Sequence, residues 1–211
     1  MSDPAELYDA ILTGDAKKAE AVTKAALEAK CEAGDLLSKY MIPAMDEVGK
    51  RFEANEFFVP ELLIAARAMK TALELLNPAM AAEGLEAAGR VVIGTVKGDL
   101  HDIGKNLVAS MLEGGGFEVV DLGVDVAPEK FVEAAQQKDG SIVALSALLT
   151  TTMTMMKTVI EALEAAGIRQ STKVMIGGAP ITQQYADEIG ADGFSDNASA
   201  AVAMARKLCE G

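Results

Sequence analysis

Absences narrow this 211-residue sequence before any motif does. No apolar run approaches the roughly 18–20 residues a membrane-spanning helix needs, so a membrane is not an expected environment. No Lys/Arg cluster is present and the formal net charge is −13, so nucleic acid and anionic lipid surfaces are not expected partners. The opening MSDPAELYDA is acidic and lacks the basic and apolar regions of a secretory leader, which makes the cytoplasm the expected location. The two cysteines, Cys31 and Cys209, are far apart and have no zinc-type spacing, so they suggest neither a disulfide framework nor a thiolate metal site. Repeats and low-complexity segments are missing too. Histidine occurs once, at position 101.

What is present falls into two halves with different periods. Up to about residue 86, ELYDAILTGD, DAKKAEAVTKAALEAK, DLLSKYMIPAMDEVGKRF and FVPELLIAARAMKTALELLNP carry apolar residues at three- and four-residue spacing. They predict an N-terminal helical bundle over 1–86, with Asp15 as a helix cap and Pro43 starting or kinking a helix. Pro60 suits a first turn, and Pro78 is expected to stop the last helix. AAEGLEAAGR, residues 81–90, reads as a small, glycine-containing junction and a hinge. Beyond it, apolar strands at 91–96, 118–123, 141–146, 173–178 and 191–194 alternate with helices near 104–115, 128–138, 152–166, 181–189 and 197–209. Five βα units with near-continuous apolar strands predict an α/β domain over 91–211, a flavodoxin-like, doubly wound parallel sheet of order 2-1-3-4-5. Met153, Met155 and Met156 open the helix after strand 3 and are read as core.

Ligands of such sheets bind beyond the carboxyl ends of the strands, at the switch point between strands 1 and 3. The loops there are GDLHDIG, SALLTTT, GGAP and FSDN, rich in glycine and hydroxyls with one imidazole. They suit a large, flat, mostly apolar ligand with a few polar attachments. The spacing is not that of a P-loop: five residues separate Gly98 from Gly104, and Asn106 stands where a hydroxyl is needed. Gly177 and Gly178 allow close approach of a ligand, or form a tight turn needing positive φ; the local sequence permits both. A lone histidine reads first as a plain loop residue; against that, His101 lies at the switch point. With Asp99 two residues away it could form a general-base pair, although the hydroxyl cluster is the only nucleophile at hand. One histidine cannot build a zinc or iron site. It can supply one axial ligand to a metal that arrives in its own macrocycle, with Asp99 orienting the ring.

The motifs resemble a known family. Asp99-Leu100-His101-Asp102-Ile103-Gly104 is similar to the D-x-H-x-x-G signature of cobalamin-binding domains, Ser146-Ala147-Leu148 to the S-x-L, and Gly177-Gly178 to the G-G. The segment from Phe52 to Glu61 resembles the helical cap that precedes this domain in methionine synthase. The same layout occurs in small corrinoid proteins serving methyl transfer from methylamines, methanol, betaines or aryl methyl ethers. The resemblance implies a cobalamin or related corrinoid whose nucleotide tail enters a slot beside strand 1, with His101 as the lower ligand of cobalt. It implies that Asp99 bonds His101, and that Thr152 occupies the position of a relay hydroxyl that is serine in methionine synthase. Gly98, Asp102, Ile103 and Gly104 belong to the cofactor-binding motif; Ser146, Leu148 and Thr150 would line the slot, with Gly177 and Gly178 against the tail. Phe58 and Leu62, four apart, would shield the methyl group.

The implied function is a methyl carrier. Cobalt(I) accepts a methyl group through a donor-specific methyltransferase and passes it to tetrahydrofolate or a thiol through an acceptor methyltransferase, with a reductive activase as a further partner. The chain would be a carrier subunit more than a complete enzyme. Two other uses of the fold are a cobalamin-dependent sensor or regulator, and the small subunit of a mutase. The first usually adds a DNA-binding module, for which this acidic chain has no room, and the second does not need the F-V-P-E cap.

Overall fold

The computed structural model describes residues 3–138 and 140–210; the outer domain limits expected at 1 and 211 lie outside that range. The chain divides into two compact units: one runs to Ala87 and includes Glu113–Gly116, the other takes Ala88–Leu112 and the chain from Phe117 onward.

The first unit is helical: α1 (Glu6–Leu12), α2 (Ala16–Glu28), α3 (Ala33–Leu36), α4 (Ile42–Glu53) and α5 (Val59–Ala82). Asp15 caps α2 as expected, its carboxylate accepting the Lys18 N–H at 3.0 Å. A π-helical turn, Leu37–Met41, runs without a break into α4, and Pro43 sits just past the seam, as the second residue of α4. Pro60 lies in the true first turn of α5, after extended Phe58, where a missing N–H leaves no helical bond unmade, and Glu61 reaches back to accept the Phe58 N–H at 2.9 Å. Leu62, Ala65, Met69, Ala72, Leu76 and Met80 give α5 a continuous buried stripe, and it packs against α2, α4 and α1.

Pro78 does not end α5; the helix continues to Ala82. Pro78 and Glu74 both lie on the exposed side, so the Glu74 carbonyl that loses its partner faces water. Leu76 and Met80 stay buried on the other side. Their burial outweighs one lost hydrogen bond.

In the second unit, β1 (Arg90–Thr95), α6 (Ile103–Gly114), β2 (Glu118–Asp121), α7 (Pro128–Ala135), β3 (Ile142–Ser146), α8 (Met155–Ala165), β4 (Lys173–Gly177), α9 (Gln183–Ile189), β5 (Gly193–Phe194) and α10 (Ala198–Glu210) alternate. All strands pair in parallel in the order β2-β1-β3-β4-β5, the doubly wound topology the strand pattern predicts. Every residue of β1 is buried, whereas β2 is an exposed edge. Val92, Val143 and Val174 from the sheet pack with Phe131, Met156 and Leu163 from the helices, and Met153 and Met155 lie against the same cluster.

The helix after β3 begins later than its periodicity predicts, at Met155 and not at 152. Residues 149–154 instead make tight turns, with Thr152 N–H on the Leu149 carbonyl at 3.1 Å and Met155 N–H on the Thr152 carbonyl at 2.9 Å. Consecutive threonines favour this, because their hydroxyls find partners outside a helix.

Candidate functional site

The site is built on the loop between β1 and α6. β1 ends at Thr95, an isolated parallel bridge joins Val96 to Val126, and Gly98 turns the chain at φ +82°. The turn drives Asp99 inward until it is fully buried. Its carboxylate then meets five donors. Oδ1 accepts from the His101 N–H at 3.1 Å and from His101 Nδ1 at 2.8 Å. Oδ2 accepts from the Leu148 N–H at 2.8 Å, the Leu149 N–H at 3.3 Å and the Thr152 hydroxyl at 2.6 Å. Burial alone would raise the Asp99 carboxyl. The bonds from Thr152, the His101 ring and the amides of His101 and Leu148 outweigh it and hold the group well below the usual carboxylate range.

An ionised Asp99 accepts only, so Nδ1 of His101 is assigned as the nitrogen that donates to it; in the neutral ring the lone pair is then on Nε2. The ring is pinned at one end, while half of the side chain is exposed, 51% against 0% for Asp99. Thr95 holds the loop from below, its hydroxyl donating to the His101 carbonyl at 3.0 Å. Asp99, His101 and Thr152, separated by up to 53 positions, thus form one unit.

The loops at this end of the sheet expose apolar side chains. The large exposed hydrophobic side chains of this unit are Leu100 (70% exposed), Ile103 (84%), Val124, Leu148 and Leu149, all on the loops leaving β1, β2 and β3 or at the first residue of α6. Such a cluster marks a binding surface. Gly104 is exposed, and a side chain added there would meet only open space. Ser146 is half-buried at the end of β3, and Thr150 and Asp102 are exposed nearby in sequence.

Gly178 resolves the ambiguity of the glycine pair. At φ +137° a Cβ would lie 1.9 Å from the Ala147 carbonyl oxygen, so no other residue fits, and the close approach is to the chain itself. Gly177 is less constrained: a Cβ there would stand 3.2 Å from the Ser195 carbonyl oxygen.

The helical unit treats its two candidates differently. Phe58 precedes α5 in extended backbone and is 60% exposed, whereas Leu62 is fully buried. They do not share a face as their spacing suggests, because only Leu62 is inside the helix.

Two residues escape a motif-based reading. Lys105 is buried, with Nζ 2.7 and 2.5 Å from the two Asp121 carboxylate oxygens and 2.6 Å from Asn106 Oδ1. Asn106 in turn donates to Asp102 at 3.1 Å. The signal was available, since Lys105 stands in line with buried Ala109 and Leu112 on the inward face of α6. Asp125 is the other, and nothing in the local pattern points to it. Among the described residues no group of three or more His, Cys, Asp or Glu could hold a metal ion, and no helix is long and apolar enough to cross a membrane.

A family described as the B12 binding domain matches residues 89–203, and a second family of the same description matches residues 5–77. The chain belongs to the B12-binding family. A trimethylamine corrinoid protein of Methanosarcina acetivorans is 45% identical over 206 residues, covering 97% of this chain and 95% of its relative. A crystal structure of a cobalamin-binding protein from Desulfitobacterium hafniense DCB-2 superposes with a TM-score of 0.81 at 35% identity, covering 99% of both chains. The methanol:cobalamin methyltransferase complex of Methanosarcina barkeri gives a TM-score of 0.84 at 29% identity, over 97% of this chain and 78% of that one. A B12-binding chain needs a wide apolar platform and a few fixed polar groups. The rim of Leu100, Ile103, Val124, Leu148 and Leu149 around a half-exposed imidazole, with open space at Gly104, fits that need.

Proposed function

We propose that the chain is a corrinoid protein that carries a methyl group between a donor-specific methyltransferase and an acceptor methyltransferase acting on tetrahydrofolate or a thiol. The carrying observation is the chain's one histidine, tied through Nδ1 to a buried carboxylate and half-exposed at a sheet end whose loops expose apolar side chains. His101 is assigned as the lower ligand of cobalt. Bound there, the corrinoid supplies a cobalt centre able to accept and release a methyl group. The protein's part is to orient and to bind. Asp99 fixes the tautomer and direction of the ring, and Thr152 fixes Asp99 in turn. Ser146, Leu148 and Thr150 are assigned to the slot for the nucleotide tail, with Gly98 and Asp102 on the loop and Ile103 and Gly104 at the start of α6 facing the cofactor. Gly177 and Gly178 are assigned to the wall beside the tail, where Gly178 also keeps the loop close to Ala147. Phe58, exposed on the helical unit, is assigned to shield the methyl group; Leu62 serves the core.

Support for the carrier role comes from similarity to a trimethylamine corrinoid protein and to a methanol:cobalamin methyltransferase complex. Those two names imply different donors on one fold, so the donor is assigned to the partner enzyme. The direct test is the absorption spectrum of His101→Ala loaded with hydroxocobalamin or methylcobalamin. Loss of the ligand should change the spectrum and weaken cofactor retention. An unchanged spectrum in both forms would remove His101 from the cobalt.

A further inference from the structure

The loop carrying Asp99 and His101 is gripped by a residue outside the motif. Asp125, in the segment between β2 and α7, has φ +54°, a left-handed conformation that side chains other than Asn and Asp rarely adopt. Its Oδ1 accepts the Gly98 N–H at 2.8 Å, and its own N–H donates to the Asp99 carbonyl at 3.0 Å. Lys97 Nζ lies 3.1 Å from Oδ1. Three successive residues of the histidine loop are therefore tied to one side chain and its backbone. The bridge between Val96 and Val126, with Val126 N–H on the Thr95 carbonyl at 3.0 Å, sets Asp125 opposite them.

A surface ion pair does not account for this arrangement. The Lys97 and Asp125 side chains are 52% and 44% exposed, and pairs of that kind contribute little. Glycine would adopt φ +54° more readily than aspartate, yet it would take away the acceptor of the Gly98 N–H. The carboxylate and the unusual backbone together do what neither does alone: one end of the residue holds the turn at Gly98, the other holds Asp99. Strained non-glycine residues concentrate where geometry serves function.

We infer that Asp125 is a positioning residue for the lower ligand, fixing the backbone of Gly98 and Asp99 so that one carboxylate reaches both His101 and Thr152. This rests on the reading of His101 as the cobalt ligand. It predicts that the imidazole is ordered before any cofactor arrives.

Because the chain has a single histidine, imidazole nitrogen signals in the cofactor-free protein report on His101 alone. Asp125→Asn keeps an acceptor and tolerates positive φ; Asp125→Gly keeps only the backbone freedom; Asp125→Ala keeps neither. In weakly alkaline buffer, the wild type and Asp125→Asn should show one tautomer, protonated at Nδ1. Asp125→Gly and Asp125→Ala should show mixed tautomers and bind hydroxocobalamin about tenfold more weakly, the usual order of effect when a ligand loses the group that orients it. A normal Asp125→Gly beside an impaired Asp125→Ala would reduce the effect to backbone strain and overturn the proposal. So would wild-type tautomer and affinity in both. His101→Ala separates the two layers: if it changes the bound spectrum while the Asp125 variants behave normally, ligation stands and the positioning role falls. If it leaves the spectrum unchanged, the ligand reading itself falls.

Discussion

Asp99 carries two negative oxygens in a place water does not reach, and five donors surround it. An amide there can accept on one side only, so Asp99→Asn would turn its NH2 toward either the His101 ring or the Thr152 hydroxyl and its neighbouring amides. A loss of about 1–3 kcal/mol is expected for leaving such buried donors unmatched. The pH dependence has a definite sign. The carboxyl is held below its ordinary value in the folded chain, so its stabilising contribution is complete above the unfolded value of about 3.9 and is lost progressively as the pH falls from there toward the lowered folded value. The stability gap between wild type and Asp99→Asn should therefore stay level from about pH 5 upward and narrow below about pH 4. Denaturant titrations across that range measure it. A gap that widened in acid would contradict the assignment of Asp99 as an ion.

Between elements, one polar tie outside the motif joins the start of α6 to the end of β2. The Lys105 side chain is 2% exposed and the Asp121 side chain 40%. The two partners are consequently unequal when one is removed. Asp121→Ala leaves an ammonium buried with Asn106 as its remaining side-chain acceptor, and a cost of about 3 kcal/mol is expected. Lys105→Met keeps the aliphatic stem in place and frees only a carboxylate that water already reaches, so a cost of about 1 kcal/mol or less is expected. Chemical denaturation of the two variants ranks them; the reverse order would mean that Lys105 packs differently. α5 and the turn before α8 teach the same lesson about local rules. Proline should break a helix, and methionines and threonines at helical spacing should extend one, yet burial of Leu76 and Met80 overrides the first and the Thr152–Asp99 bond accompanies the failure of the second.

At the scale of the whole molecule, the chain belongs to the B12-binding family, and the proposed carrier role leaves the choice of methyl donor to the partner. The reduced, corrinoid-loaded chain is expected to become methylated only when a matching methyltransferase is added with its donor, read as a change in the corrinoid spectrum. Methylation by the donor alone would make the chain an enzyme in its own right. The strand order, the parallel sheet and the place of the histidine loop were legible from residue patterns alone. Buried parallel strands must be apolar throughout, and crossover handedness leaves few topologies. The D-x-H-x-x-G, S-x-L and G-G motifs were equally plain, since each needs particular residue types a few positions apart. Tertiary structure alone decided that one Asp99 carboxylate takes donors from His101, Leu148, Leu149 and Thr152 together, that Asp125 braces the histidine loop while Lys105 ties α6 to β2, that Gly178 answers to Ala147, and that Phe58 is exposed where Leu62 is buried. Those facts depend on backbone angles and on loops brought together from positions dozens of residues apart, and hydrogen-bond geometry at about 3 Å is written in neither composition nor period.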